Sequence, residues 1–415
     1  MTPFLIIVFA AFSYLAWHDL RKAFLLFVAA LPVYVVRFSI GSIPTTALEI
    51  LFIILFIAWM LKREKRLIDI KGWGWLLLAW LAVATVSLFV SPDFRAAAGV
   101  WKAYFIEPIL FFLIANDLMR TQEDRNAAVG SLAWSAIVVS GMAIVQHWTG
   151  WGVPPPFNGV PVPPATEAEF RSTSFYGFPN AVGLFLAPLV PLFLRKGNLY
   201  RAAFLASIAA IALAQSEGAL IGLAAGIGVY MLCFKKGRLP ALIIGGIFLA
   251  GIFIIPETRA FAIEKLTLRD WSGRVRKEMW VEASHMLKDH AVLGAGLSGY
   301  PIVFDAYHEA RHIEIFQYPH QLFLNFWSEL GLAGLIAFFL LIGRYFMTLR
   351  ETLRRVPSSQ FWIAMLVASM TALLVHGLVD VPYFKNDLSM LFWLLLALTS
   401  SMRAEARQID TSATS

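Results

Sequence analysis

Apolar runs long enough to cross a lipid bilayer recur from one end of this 415-residue chain to the other. A helix needs about 20 apolar residues to span ~30 Å of hydrocarbon. Such runs lie near residues 3–17, 23–38, 45–61, 73–91, 97–117, 127–148, 178–194, 200–215, 217–234, 239–256, 319–343, 360–379 and 386–402. With 59% hydrophobic residues, 15% charged residues and a mean hydropathy of +0.69, the chain lies well outside the soluble range. The pattern predicts an all-α polytopic integral membrane protein, a single membrane domain over residues 1–415 with 12–13 transmembrane helices. The first two runs are short, and length alone leaves open whether the first one crosses.

Lys and Arg orient the spans. Arg21 with Lys22, Lys62 to Lys71, Arg120 with Arg125, Arg195 to Arg201, Lys235 to Arg238, Arg344 to Arg355, and Arg403 with Arg407 occupy alternate boundaries. They make up 21 of the 34 basic residues, so the positive-inside rule assigns that side to the cytoplasm. The formal net charge of +7 is then a topogenic signal, not a nucleic-acid patch. Two long segments fall on the opposite, exterior side: a Pro-rich loop over 149–177, and a large loop over 256–319 before the third-last helix. The N-terminus lacks the basic region of a signal peptide. Cys233 is the only cysteine, which excludes intramolecular disulfides, and it reads as a small packed apolar group.

Six prolines, Pro154 to Pro156, Pro161, Pro163 and Pro164, stiffen the first loop and forbid regular helix. In the second, Val275, Met279, Ala283, Met286 and Leu287 fall on one helical face. That is an amphipathic helix, lying on the bilayer or capping the bundle. Gly218, Gly222 and Gly226 form a small-residue stripe that permits close helix approach.

The second loop ends at His320, where the chain re-enters apolar sequence. A group that exchanges protons near neutral pH, set at a membrane–water boundary, suits chemistry on a substrate that is half lipid. His320 is expected to start a helix whose same-face positions are Leu324, Trp327, Gly331 and Gly334. Glu329 lies ~13 Å further in at ~1.5 Å per residue and needs a partner. Arg274 and Arg276 open the amphipathic helix, Arg171 closes the Pro-rich loop, and Lys102 lies inside the fifth run near Arg95. Topology disfavours exterior cations, so these call for an anionic partner, and the planar fork of arginine suits phosphate.

His308-Glu309-Ala-Arg-His312 matches the H-E-x-x-H pattern of zinc proteases, although no third ligand stands out and the segment is squeezed between prolines. His376 and Asp380 stand i, i+4 and can meet on one face, with Asn386 and Asp387 beyond the next turn. Glu167 and Glu169 are the nearest approach to an acidic metal pair.

Ser272-Gly-Arg274 with Trp280, Leu293-Gly-Ala-Gly296, His320 with Gly331 and Gly334, and Arg171 through Pro179-Asn180 together resemble the O-antigen ligase and polymerase family of bacterial envelope glycosyltransferases. The resemblance covers about residues 75–400. The chain departs from it at Gln321, where many relatives carry Asn or Ser after the histidine, and at Glu217, where many carry Arg. The resemblance implies transfer of a glycan from an undecaprenyl-pyrophosphate carrier to an acceptor hydroxyl at the exterior face of the bacterial inner membrane. His320 would act as base and Arg274 would stabilise the leaving pyrophosphate. Arg171, Arg276 and Lys102 would bind substrate, with no metal or other cofactor. The acceptor would be lipid A core, a growing polymer or protein. Two other classes stay in view: a non-enzymatic polyprenyl-glycan exporter, which needs charge through its interior, and a membrane zinc protease built on His308 and His312.

Overall fold

The protein is described here by a computed structural model covering residues 3–63, 68–159, 170–310 and 312–414. The first half runs α1 (Pro3–His18), α2 (Leu20–Ala29), a hairpin of β1 (Arg37–Ile40) and β2 (Ile43–Thr46), α3 (Ala47–Lys62), α4 (Gly74–Val90), α5 (Phe94–Leu118) and α6 (Gln122–Thr149). It continues through α7 (Pro179–Leu186), α8 (Asn198–Leu213), α9 (Glu217–Leu232), α10 (Lys235–Ile254), α11 (Pro256–Leu266) and α12 (Trp271–Asp289). The chain closes with α13 (Tyr300–Phe304), α14 (Leu322–Arg355), α15 (Gln360–His376) and α16 (Asn386–Thr414).

This is an all-α polytopic membrane protein. Among the described residues, α5, α6, α10, α14 and α15 with the turn before it are long and apolar enough to cross a bilayer. The helices α1, α4, α8 and α9 are apolar but shorter. Every predicted run carries helix, but three runs are broken. The second ends α2 at Ala29 and goes on as a 3-10 turn over Leu31–Val35. The seventh changes after α7 into a 3-10 turn at Val190–Phe193, because Pro188 and Pro191 lack the N–H a helix needs there. The third break, in α14, is taken up below.

Ion pairs gather the two kinds of boundary at opposite ends of the bundle. At one, Arg21 meets Asp124 at 2.6 Å, Arg125 reaches Glu405, Arg403 meets Glu351 at 2.8 Å, and Gln360 Nε2 donates to Cys233 O. At the other, Lys265 meets Glu217 at 2.9 Å, and the Leu322 N–H donates to Gly377 O at 2.7 Å. We call these the basic end and the loop end. Glu64 to Leu67 of the basic cluster, and Pro161, Pro163, Pro164, Glu167 and Glu169 of the Pro-rich loop, lie outside the described residues.

The small-residue stripe of α9 does what its spacing allows. A Cβ at Gly222 would stand 2.6 Å from Ala372 O, and one at Gly226 2.6 Å from Ala368 O, so α9 lies directly on the backbone of α15. The segment 256–319 is more than a loop with one helix: α11 precedes the amphipathic α12, and α13 follows. The predicted face of α12 is inward, with Met279, Ala283, Met286 and Leu287 buried against Tyr300, Phe304, Leu324 and Trp327. It caps the start of α14.

The break in α14 falls at Gly331, with φ 68° and ψ −174°, a conformation essentially reserved for glycine. An interrupted helix within apolar surroundings must find partners for its freed backbone groups. The 291–298 segment supplies them. Leu332 N–H donates to Ala291 O and Val292 O, Ala295 N–H donates to Ser328 O at 2.6 Å, and the Glu329 carboxylate accepts from Ser298 N–H. Gly294 and Gly331 face each other so closely that a Cβ on Gly331 would sit 2.0 Å from Val292 O. Aromatic packing fixes the piece of α14 before the break. Phe326 lies against Phe338 at 4.3 Å and Tyr383 at 5.1 Å, and Tyr383 donates to Tyr104 O at 2.7 Å.

Gly331→Ala should therefore destabilise the protein by about 2–4 kcal/mol, summing backbone strain and overpacking. Thermal unfolding in detergent measures it, and Gly343→Ala, where a Cβ meets nothing within 4 Å, is the control expected to show no loss.

Candidate functional site

His320 does not begin α14. Gln321 is the N-cap, its side chain accepting from Leu324 N–H, and His320 stands one residue earlier with φ 47°. That left-handed conformation costs a residue with a Cβ ~1–2 kcal/mol, so the surrounding contacts must enforce it. Gln321 also accounts for one departure from the family pattern, since Asn or Ser would serve the same cap. On the protein side, Trp280 Nε1 of α12 donates to Pro319 O at 2.8 Å. On the membrane side, Leu322 is bonded to the end of α15 through Gly377 O. The His320 ring lies edge-on to Phe316 at 5.1 Å and Tyr318 at 4.9 Å.

These restraints turn His320 Nδ1 toward Asp380 Oδ1 at 3.5 Å. The Asp380 side chain is 3% exposed and that of His320 23% exposed, so the pair joins a buried carboxylate to a partly open imidazole. Burial works to raise the pKa of Asp380. The His320 contact, the neighbouring His376 and the Val381 N–H outweigh it and hold the carboxyl well below the usual range. Asp380 is therefore an anion at any physiological pH. With Nδ1 facing Asp380, Nε2 is the nitrogen left for a substrate proton. The i, i+4 spacing correctly anticipated that His376 and Asp380 are neighbours, but it gave no sign that Asp380 would face His320.

The cations separate by what already occupies them. Arg171 Nε donates to Ala214 O at 3.1 Å, and its Nη2 donates to Gln215 O and Asn180 Oδ1 at 3.0 Å, tying the Pro-rich loop to the end of α8. Lys102, at a π-turn in α5, lies 2.9 Å from Glu49 and 3.9 Å from Glu107. Glu217 is paired with Lys265 of α11, so the negative charge at that position has its counterion within the chain.

Arg274 and Arg276 make no hydrogen bond or ion pair among the described residues. Two positions apart on α12, they point ~200° apart. Arg274 stacks on Trp271 and lines an open cavity of about 880 Å³ with Arg269, Lys277, Glu278 and His285. His320 is not among the lining residues. Arg276 instead shares a helical face with Trp280, the residue bonded to Pro319. Arg274 and His320 do not line this cavity together, and Arg276 lies on the face of α12 that carries Trp280.

The H-E-x-x-H segment does not form a helix. Residues 308–310 have no helical structure, His308 has φ −80° and ψ 100°, and Arg311 lies outside the described residues. Both His308 nitrogens are occupied, Nδ1 with Glu282 at 2.9 Å and Nε2 with Ile313 O at 2.9 Å. The buried Glu282 also accepts from Glu309 N–H and Ala310 N–H, and His312 faces Glu278 at 3.4 Å. The pattern thus anchors a loop to α12. Burial opposes ionisation of Glu282, but the His308 and backbone hydrogen bonds prevail and lower its pKa.

Two measurements test this account. His320→Gly should be more stable than His320→Ala by about 1 kcal/mol, because only glycine adopts the left-handed backbone without cost. The Glu282 contribution, about 1.5–3 kcal/mol, is present above the ordinary carboxyl value of 4.5 and is lost as pH falls through the lower folded value. Limited proteolysis of residues 305–319 should show protection at neutral pH that disappears only well below pH 4.5, whereas Glu282→Ala is cleaved throughout.

Residues 202–339 match the family model described as O-Antigen ligase. No curated protein matches the chain. The matched stretch runs from α8 into α14 and includes Glu217, Arg274, Arg276, His320, Gly331 and Gly334. Over this third of the chain the sequence is similar to the O-antigen ligase family, which supports a glycosyltransferase-type role of the ligase and polymerase kind. Arg171 and Asp380 fall outside the match.

Proposed function

We propose that this protein transfers a glycan from an undecaprenyl-pyrophosphate carrier to an acceptor hydroxyl at the exterior face of the bacterial inner membrane, without a metal. The observation that carries the reading is His320, held in a left-handed backbone conformation at a membrane mouth with Nδ1 toward a buried carboxylate. That is the base-and-orienter arrangement used to activate weak nucleophiles. The acceptor hydroxyl gives its proton to Nε2 while its oxygen bonds to the anomeric carbon. The bond from that carbon to the pyrophosphate oxygen breaks, and the electron pair leaves with the carrier. Direct displacement inverts the anomeric centre.

Charge grows on the departing pyrophosphate, and an unpaired guanidinium aimed at it lowers the barrier. Arg276 is assigned the pyrophosphate, on the strength of its shared face with Trp280, and Arg274, on the other face of α12, is assigned no contact with it. Arg171 and Lys102 act on substrate only through the backbone and carboxylates they hold. The acceptor we favour is a lipid-anchored saccharide such as lipid A core. Polymerisation of carrier-bound repeats and transfer to protein use the same donor chemistry.

Transfer in membranes from purified lipid-linked donor, with chelator present, tests the proposal. His320→Ala should lose about 10²–10⁴-fold in rate at unchanged abundance, and Arg276→Gln about 10²–10³-fold. Asp380→Asn should also lose activity, since the ring loses the carboxylate that orients it. Full activity in His320→Ala would remove it as base. Chelator-sensitive transfer would overturn the metal-free mechanism.

A further inference from the structure

At the basic end, far from His320, a cavity of about 770 Å³ opens between the turn after α7, the first turns of α8, the end of α9 and the start of α15. Its lining divides by chemistry. Arg195, Lys196 and Arg201 supply three cations, and Phe204, Leu205, Tyr230 and Phe361 are among the apolar remainder. No Asp or Glu lines it, in contrast to the cavity at the loop end, which carries Glu278, Glu282 and Glu309.

Arg195 is built into place. Its Nη2 reaches Asn126 Oδ1, and its guanidinium stacks over Tyr200 at 5.0 Å and Trp362 at 4.5 Å. Yet Nη1 is buried and has no hydrogen-bond partner. That nitrogen is closed to solvent, so Arg195 meets the cavity through its other atoms. Lys196 and Arg201 are exposed and make no ion pair among the described residues. Helix α8 begins on Gly197 (φ 129°) with no side-chain cap, so its first N–H groups also remain open to an acceptor.

We infer that this cavity binds an anionic phospholipid, the phosphate on Arg195, Lys196 and Arg201 and an acyl chain along Phe204, Leu205 and Phe361. The committed occupant is a lipid, not a free anion, because the walls continue apolar away from the cations. Phe204 lies six residues into α8, ~9 Å deeper at 1.5 Å per residue, at acyl-chain depth, and the Leu205 side chain beside it is exposed. Basic pockets between membrane helices on the Lys- and Arg-rich side are matched to acidic headgroups by charge. The site is independent of the transfer reaction proposed above.

Native mass spectrometry of the full chain tests it, with lipid retention compared in nanodiscs of phosphatidylcholine alone or doped with phosphatidylglycerol. The wild type should keep phosphatidylglycerol in preference to phosphatidylcholine. Retention should fall by about fivefold for each cation removed in Lys196→Gln and Arg201→Gln, singly and together. These two side chains are exposed, so the variants should keep the wild-type melting temperature. Arg195→Gln, which also breaks the Asn126 contact, serves only as a second comparison. Equal retention of the two lipids, or unchanged phosphatidylglycerol retention in the double variant, overturns the inference. So does displacement of the lipid by inorganic phosphate, which would make the cavity a site for a soluble anion.

Discussion

An interrupted helix in hydrocarbon stands only if something else satisfies its backbone, and the site depends on how that demand is met at Gly331. The freed N–H of Leu332 and the carbonyl of Ser328 are taken up by residues 291–295, so the segment outside the membrane is bonded into the helix inside it. Glu329 adds a side-chain bond to the Ser298 N–H, and Ser87 Oγ donates to the Glu329 carbonyl from α4. A carboxylate that looked in need of a counterion thus finds backbone donors instead. The anchor holds α12 and α13 over the start of α14, and through Trp280 it fixes the chain at Pro319, one residue from His320. Strain at the histidine persists because rigid attachments lie on either side of it.

Much of this was legible in the sequence. Hydropathy gave the class and the position of every helical run, and the Lys and Arg pattern gave which turns share an end. The apolar periodicity of residues 275–287 gave the inward face of α12, and the glycine stripe of α9 gave its contact with α15. What escaped was non-local or backbone-driven. A break at Gly331 has no periodicity of its own, since the helical pattern resumes on both sides. The left-handed conformation of His320 is set by bonds to Trp280 and Gly377, which are 40 and 57 positions away in sequence (320 − 280 and 377 − 320). The pairing of Asp380 with His320 spans 60 positions for the same reason (380 − 320).

A motif match has to be read on its backbone. The H-E-x-x-H spacing has meaning only on a helix, where it puts both histidines on one face. Residues 308–310 are not helical, and Glu282, which no motif marks, takes up His308 and two N–H groups. The amphipathic reading of α12 carried a hint of this. Glu282 sits beside Ala283, at the edge of the apolar face, where a carboxylate is buried only if donors await it.

The exterior cations show how counter-charge separates structural from chemical roles better than position does. All four candidates were chosen because positive charge on that side is disfavoured, and the same argument must then be applied to each in its surroundings. Arg171 spends its fork on two helix-end carbonyls and an amide, and Lys102 faces two carboxylates, so neither brings an unused charge to a substrate. Arg274 and Arg276 have no such partner among the described residues, and α12 points them apart, Arg274 into the open cavity and Arg276 along the face of Trp280.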